Sequence, residues 1–390
     1  MEKIVIYEYD KKYRIYIEEQ LEKNKYAFMV IPVHDKIAIS MDDFPDDTKG
    51  IIIDISLFFR DEEKALIYAQ LIEKLIDALN AKSPIYLIID KRYSQYLKDV
   101  LYYKIKKIVN LSEKFAIDLP VSRDIVEIEE KEFKDIIDAI QNNLVGQEKF
   151  KKRLEEELRK YRVFNRLGYQ PIFSVLICGK SGIGKTEVAR ILRRELSPSE
   201  PFIKINFGNY SDQNALSSLI GSPRGYVGSN KGELSDKLEN SNSKLILIDE
   251  FEKSNKQVQN FFLQLLEDGF FTDSLGRDYD LNRYIIIFTA NLSKDKIAEK
   301  ISPELLSRFN FKYSFSEMSA IEKKEYVDKR VEKIVYDISQ KLHIDINDEQ
   351  IIEIKNIDIT RYSNMRDVNS EVMRRVSEII YPQLYDLEEE

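Results

Sequence analysis

The 390-residue chain has one cysteine, no tryptophan, two histidines and only 13 glycines. A single cysteine closes no intrachain disulfide, and Cys178 with His34 and His343 falls short of the four ligands of a structural zinc site. Cys178 lies in an apolar run and reads as a small buried strand residue rather than a reactive thiol. No run of about 18 apolar residues occurs, and acidic residues interrupt the opening "MEKIVIYEYD" where a signal peptide needs an apolar stretch. The chain therefore reads as intracellular and cytoplasmic, with no membrane partner. A basic excess is missing too. With 60 Lys and Arg against 68 Asp and Glu, the net charge of −8 argues against a nucleic-acid partner. What remains is an ordinary soluble composition, 43% hydrophobic and 33% charged, long enough for two or three domains.

The scarce glycines divide the chain. Gly50 is alone before Gly146, ten of the 13 fall between Gly179 and Gly276, and none follows. The middle is thus where unusual backbone angles or close ligand approach are needed. Before it, "KIVIYEY", "YAFMVIPV", "GIIIDIS" and "PIYLIID" read as buried strands, and segments 61–81 and 92–106 carry helical spacing. This alternation predicts a separate N-terminal α/β domain over 1–110 with a parallel sheet, followed by a linker over 111–135. The domain resembles flavodoxin-like response-regulator receivers, with Asp54 ending a strand where the phospho-acceptor would lie. Against this, Tyr9 splits Glu8 from Asp10 and no Lys-Pro follows a fifth strand, so a docking or structural domain is the other reading.

"GKSGIGKT", from Gly179 to Thr186, fits the phosphate-binding pattern G-x-x-x-x-G-K-[ST] between the apolar "IFSVLIC" and a helical stripe of Val188, Ile191, Leu192 and Leu196. Backbone N–H groups of Gly179, Ser181, Gly182, Ile183 and Gly184 at a helix start would surround phosphates. Lys185 would reach the β- and γ-phosphates and the Thr186 hydroxyl would ligate Mg²⁺. Sixty residues on, "KLILIDEFEKS" ends an apolar strand at Asp249 and Glu250. Asp249 is placed as the second Mg²⁺-holding group and Glu250 to polarise the attacking water. The next strand, "YIIIFTAN", ends in Thr289 and Asn291, polar groups able to sense the γ-phosphate.

From about residue 140 onward the chain resembles an AAA+ ATPase of the Clp heat-shock type, closest to the second ATPase module of ClpA, ClpB and ClpC. "NLVGQEKFKKRLEEELRK", "GKSGIGKTE", "LILIDEFEKS", "LLEDGFFTDSLGRDYD" and "SPELLSRF" follow in the family's order. The resemblance implies a P-loop AAA+ large subdomain over 136–316, with helices on both faces of a parallel sheet, and a helical lid over 317–390. It implies ATP and Mg²⁺ as cofactors, Val145 and Gly146 near the adenine, Glu187 beside the phosphates, and Arg308 as an arginine finger acting in a neighbouring subunit. Arg366 in "YSNMRDVNSEVMRR" takes the place of a second sensor, with Asn364-Met365 where the family has Gly-Ala. "GYVG" corresponds to the central-channel loop, so Tyr226 and Val227 would face a polypeptide, and Phe270 and Phe271 on a second loop would line the same channel. The segment "LSKDKIAEKIS" is too short for the family's peptidase-docking tripeptide, so ClpP is not expected as a partner. Two functions follow as expectations. One is a hexameric ring that unfolds polypeptides; the other is a switch ATPase whose assembly controls an adaptor or effector bound through 1–110.

Overall fold

The computed structural model describes residues 3–30, 45, 47–59, 68–74, 84–119, 123–210, 214–222, 231–362 and 364–385. The chain divides into two compact units, Met1–Val121 and Ser122–Glu390.

Among the described residues of the first unit, five parallel strands form one sheet: β1 Ile4–Tyr9, β2 Tyr26–Val30, β3 Gly50–Asp54, β4 Ile85–Asp90 and β5 Ile105–Asn110. Helices α1 Arg14–Lys23, α2 (described over 68–74), α3 Lys91–Val100 and α4 Leu111–Phe115 accompany them. Strand β3, "GIIID", is buried at every position, as a central strand covered on both faces must be. The spatial order is β2-β3-β4-β1-β5. A flavodoxin- or receiver-like sheet runs 2-1-3-4-5, so that resemblance does not extend to the topology. Asp54 ends β3, as expected, but its flanks are β2 and β4. The residue is 3% exposed, and its carboxylate accepts hydrogen bonds from Tyr9 Oη (2.6 Å), the Ser56 amide (2.9 Å) and Arg14 Nε (3.3 Å). A carboxylate so buried and so fully hydrogen-bonded is a structural tie between strand ends.

Two further expectations change. The helical reading of 92–106 overran into β5, where Ile105 and Ile108 mimic helical spacing across the exposed Lys106 and Lys107 of a strand. The stretch 111–135 is also not a linker throughout. Leu111 and Ile117 belong to a core of the first unit, whereas Ile125, Val126, Ile128 and Phe133 are buried in the second.

The second unit is built on a parallel sheet of β6 Phe173–Cys178, β7 Ile203–Asn206, β8 Leu245–Asp249, β11 Ile285–Ala290 and β12 Phe311–Ser314, ordered β12-β6-β11-β8-β7. A short antiparallel hairpin, β9 Phe270–Thr272 with β10 Asp278–Asp280, stands apart from it. Side chains alternate between the faces. Phe173, Val175 and Ile177 of β6 pack with α5 Glu130–Asn143, α6 Glu148–Arg166 and α7 Lys185–Leu196. Leu176 and Cys178 pack on the other side with α8 Ala215–Ile220, α9 Glu233–Glu239 and α10 Lys256–Asp268. With apolar residues pointing both ways, each central strand reads as a continuous apolar run. Burial raises the Cys178 thiol to about 12, so it stays a neutral core group.

Two short helices, α11 Ile297–Lys300 and α12 Pro303–Arg308, connect β11 to β12. A separate apolar cluster then joins α13 Ala320–Leu342, α14 Asp348–Lys355 and α15 Met365–Leu384 through Val327, Val331, Ile354, Val368 and Val372. These three helices form a C-terminal helical subdomain. Among the described residues, no helix is long and apolar enough to cross a membrane.

Candidate nucleotide site

The β6–α7 turn builds the floor of the site. Gly179, Gly182 and Gly184 have φ of 138°, 79° and 93°, a region that disfavours side chains. A Cβ on Gly179 would lie 2.9 Å from the Phe315 backbone oxygen, so the first turn closes only around glycine. Lys185 opens α7 and is 6% exposed. Its ammonium donates to the carbonyls of Gly179 (2.8 Å) and Lys180 (2.6 Å) and to Asn291 Oδ1 (2.9 Å). Burial pulls its pKa down to about 8, against the opposing pull of Glu252 and Asp249.

The strand order explains why residues far apart in sequence converge. Strand β11 lies between β6 and β8, so its end reaches both. Asn291 bonds Lys185 on the β6 side. Thr289, 1% exposed, donates to Asp249 Oδ1 and accepts from the Glu250 amide at 3.4 Å on the β8 side. From the outer strand β7, Lys204 Nζ pairs with Asp249 Oδ2 at 2.8 Å. Burial pushes the Asp249 carboxyl up, but the Lys204 and Thr289 bonds outweigh it and hold it below the usual carboxylate range. Glu250 takes the left-handed φ of 57°, which turns its side chain toward Gly208 and into an ion pair with Lys253 at 2.6 Å.

These groups open onto a cleft of about 820 Å³. Of the residues singled out in sequence, Val145, Ser181, Gly182, Gly184, Lys185 and Thr186 line it. So do Glu187, Asp249, Glu250, Asn291 and Arg366. Ile183 instead packs into the core, and Gly146 faces Glu322 at the start of α13. The helical lid supplies one wall, and Asn364 anchors it by capping α15 through the amides of Arg366 (2.9 Å) and Asp367 (3.0 Å). The Met365 amide then donates to Gly182 O at 3.2 Å, tying the lid to the phosphate turn. Thr186 and the ionised Asp249 share the cleft, and a hydroxyl with a carboxylate oxygen fits a hard cation such as Mg²⁺.

Arg308 is absent from the cleft wall. It ends α12, and its guanidinium pairs with Glu267 at 3.0 Å, with both side chains about half exposed. Tyr226 and Val227 lie outside the described residues. On the second loop Phe270 is 51% exposed, but Phe271 is buried and stacks on Tyr279 with centroids 4.9 Å apart, so Phe271 is a core residue and not a channel one. Sequence reasoning did not single out Lys204, Tyr326, Lys329 or Arg330. Lysine, tyrosine and arginine on amphipathic elements carry no motif, and only the paired strand ends and the lid bring them to the site.

A P-loop turn, paired strand-end carboxylates, an intervening polar strand end and a helical lid define a nucleotide-binding α/β module with a small helical subdomain. Residues 170–342 match the AAA domain (Cdc48 subfamily). The chain is 30% identical over 247 residues to the ATP-dependent Clp protease ATP-binding subunit ClpE of Lactococcus lactis subsp. lactis, covering 57% of this chain and 32% of that protein. It is 30% identical over 270 residues to the chaperone protein ClpB of Clostridium perfringens, covering 69% of this chain and 31% of that one. A ClpB of Staphylococcus epidermidis is 36% identical over 185 residues, or 47% of this chain and 21% of the relative. The chain thus spans about a third or less of the curated relatives it matches. Its second unit carries a Clp-type AAA+ module.

Proposed function

We propose that the protein is a cytoplasmic, Mg²⁺-dependent ATPase that assembles as a ring, a hexamer by resemblance, and remodels or unfolds polypeptides. The observation that carries the ATPase reading is the convergence of Lys185, Asn291, Thr289, Asp249 and Glu250 at the ends of three adjacent strands around one phosphate turn. The turn's amides and Lys185 bind and orient the phosphates. Thr186 and Asp249 would hold Mg²⁺, which when bound neutralises phosphate charge. Glu250 accepts a proton from the attacking water, while Arg366 stabilises phosphate charge from the lid. Arg308 does not line its own cleft and pairs with Glu267 instead, so on this reading it serves the site of a neighbouring subunit, a requirement that favours the ring.

The substrate reading rests on the Gly225-Tyr226-Val227-Gly228 segment and on relatives named as chaperones. An aromatic between two glycines suits apolar grip on varied sequences. The short connection between Asn291 and Pro303 supports action without ClpP. A second reading has its own observation. The first unit, with its own two-faced core, lies outside the 170–342 match. On that reading, nucleotide-dependent assembly controls an adaptor or effector bound by that unit.

Trapping tests both. Glu250→Gln should retain ATP and stop hydrolysis, which locks bound partners in place. Unfolded polypeptides recovered with it support remodelling. A folded partner lost on deleting residues 1–110 supports the switch. Hydrolysis at the wild-type rate in the variant would remove the ATPase mechanism.

A further inference from the structure

Gln147 occupies a position that the nucleotide-site motifs leave unexplained. It caps the N-terminus of α6 in the left-handed region, φ 57°, directly after Gly146 at 69°. Its side chain makes no capping bond there. Instead the amide, on a residue 7% exposed, turns away from its own helix toward the link between β12 and α13. Nε2 donates to Ser316 O at 2.8 Å, and Oε1 accepts from Ser316 N at 3.3 Å. One side chain thereby satisfies both polar groups of a backbone residue, as a neighbouring strand would.

The link is held on either side of that pair. Phe315, 5% exposed, donates its amide to Cys178 O at 2.9 Å, which fixes the link to β6. Three residues beyond Ser316, Ser319 caps α13, and Glu322 returns to the Ser319 amide at 2.7 Å. The Glu322 carboxylate also lies against Gly146, where a Cβ would collide with it. Gly146 and Gln147 together therefore touch the fixed end of the link and the start of the lid helix. Immediately before them, Leu144 and Val145 line the cleft, and within the link Met318 lines it too.

From this geometry we infer that Gln147 is a positioning residue for the nucleotide. It pins the hinge of the helical lid and so sets the spacing between the Leu144-Val145 wall and the Met318 wall. The inference rests on the nucleotide-binding reading of the cleft. Gln147 itself does not line the cleft and acts only through the segments it joins. A lid held at the wrong spacing weakens binding more than it slows the bound chemistry, because Lys185, Asp249 and Glu250 are held by the sheet, and Arg366 is tied to the phosphate turn by the neighbouring Met365 amide on Gly182 O rather than by the hinge.

The test compares Gln147→Asn and Gln147→Glu with the wild-type chain. Asparagine tolerates a left-handed backbone, so the α6 start keeps its φ, but it is one methylene too short to reach both Ser316 groups. Glutamate keeps the length and replaces the donor facing Ser316 O with a carboxylate oxygen. ADP affinity by calorimetry, KM and kcat for ATP, and amide exchange over residues 315–319 are measured. The expected result is at least a tenfold loss of ADP affinity, with KM raised in parallel, kcat within about threefold, and faster exchange in the link. Affinity within twofold of wild type in Gln147→Asn would overturn the inference, as would a fall in kcat at unchanged KM. Failure of the wild-type chain to bind ADP would instead remove the nucleotide reading beneath it.

Discussion

Thr289→Val isolates the polar bridge at the centre of the site. Valine matches threonine in shape, and the side chain is 1% exposed, so little packing changes. The hydroxyl donates to Asp249 and accepts from the Glu250 amide, so both strand-end acids lose a tether at once. A hydrogen bond to a charged group contributes roughly 1.5–3 kcal/mol. If that stabilisation is expressed in the transition state, kcat falls about 10- to 100-fold, at about tenfold per 1.4 kcal/mol. Lys204 still pairs with Asp249, which keeps the carboxylate from being stranded. ADP affinity should therefore change little, and the melting temperature should drop by only a few degrees. Steady-state ATPase assays with calorimetry of ADP binding separate these effects. Turnover within twofold of wild type would refute the argument that the β11 end holds the reacting groups in place.

Three further outcomes are expected. Gly208→Ala suits the backbone, but its Cβ would meet the Glu250 carboxylate, so hydrolysis should fall at least tenfold while ATP still binds; unaltered turnover would displace Glu250 from its role. Burial of Lys185 predicts weaker nucleotide binding as pH rises through about 8, because the neutral amine attracts phosphate less. The stability sign is opposite in nucleotide-free protein: between about 8 and the unfolded value near 10.5 the unfolded chain holds more protons, so stability from this group rises with pH. Calorimetric ADP titrations from pH 7 to 9 check the first trend, and Lys185→Met should abolish it. Finally, Arg308→Ala should keep nucleotide binding and lose turnover, and mixing it with the inactive Glu250→Gln chain should restore activity. No recovery on mixing, with the two chains shown to co-assemble, would place Arg308 outside a shared site.

The site was legible in sequence where chemistry demands fixed spacing. The glycine-rich turn, Lys185 and Thr186 form one local stretch, and Asp249-Glu250 follows an apolar run that could only be a buried strand. Asn291 was visible as a polar strand end, but its bond to Lys185 depends on β11 lying between β6 and β8. Lys204 and Gln147 were not legible as site residues. Each acts across the sheet or the hinge through one side chain, and neither sits in a spacing that distinguishes it from a surface lysine or an ordinary helix start. The N-terminal sheet shows the same limit. Its strands are plain in "IVIYEY" and "GIIID", but periodicity says nothing of order, so β1 between β4 and β5 could not be read. Segment 111–135 was misread because its few apolar residues, such as Leu111, Ile125 and Phe133, divide between two cores.

The central claim is that ATP hydrolysis in this module drives movement of a polypeptide gripped by Tyr226. The most direct measurement is ATP-dependent unfolding of a fluorescent substrate by wild type and Tyr226→Ala, with ATPase rates recorded on the same samples. The account predicts unfolding by the wild type, lost in the variant while ATP turnover persists. Undiminished unfolding by Tyr226→Ala would contradict it.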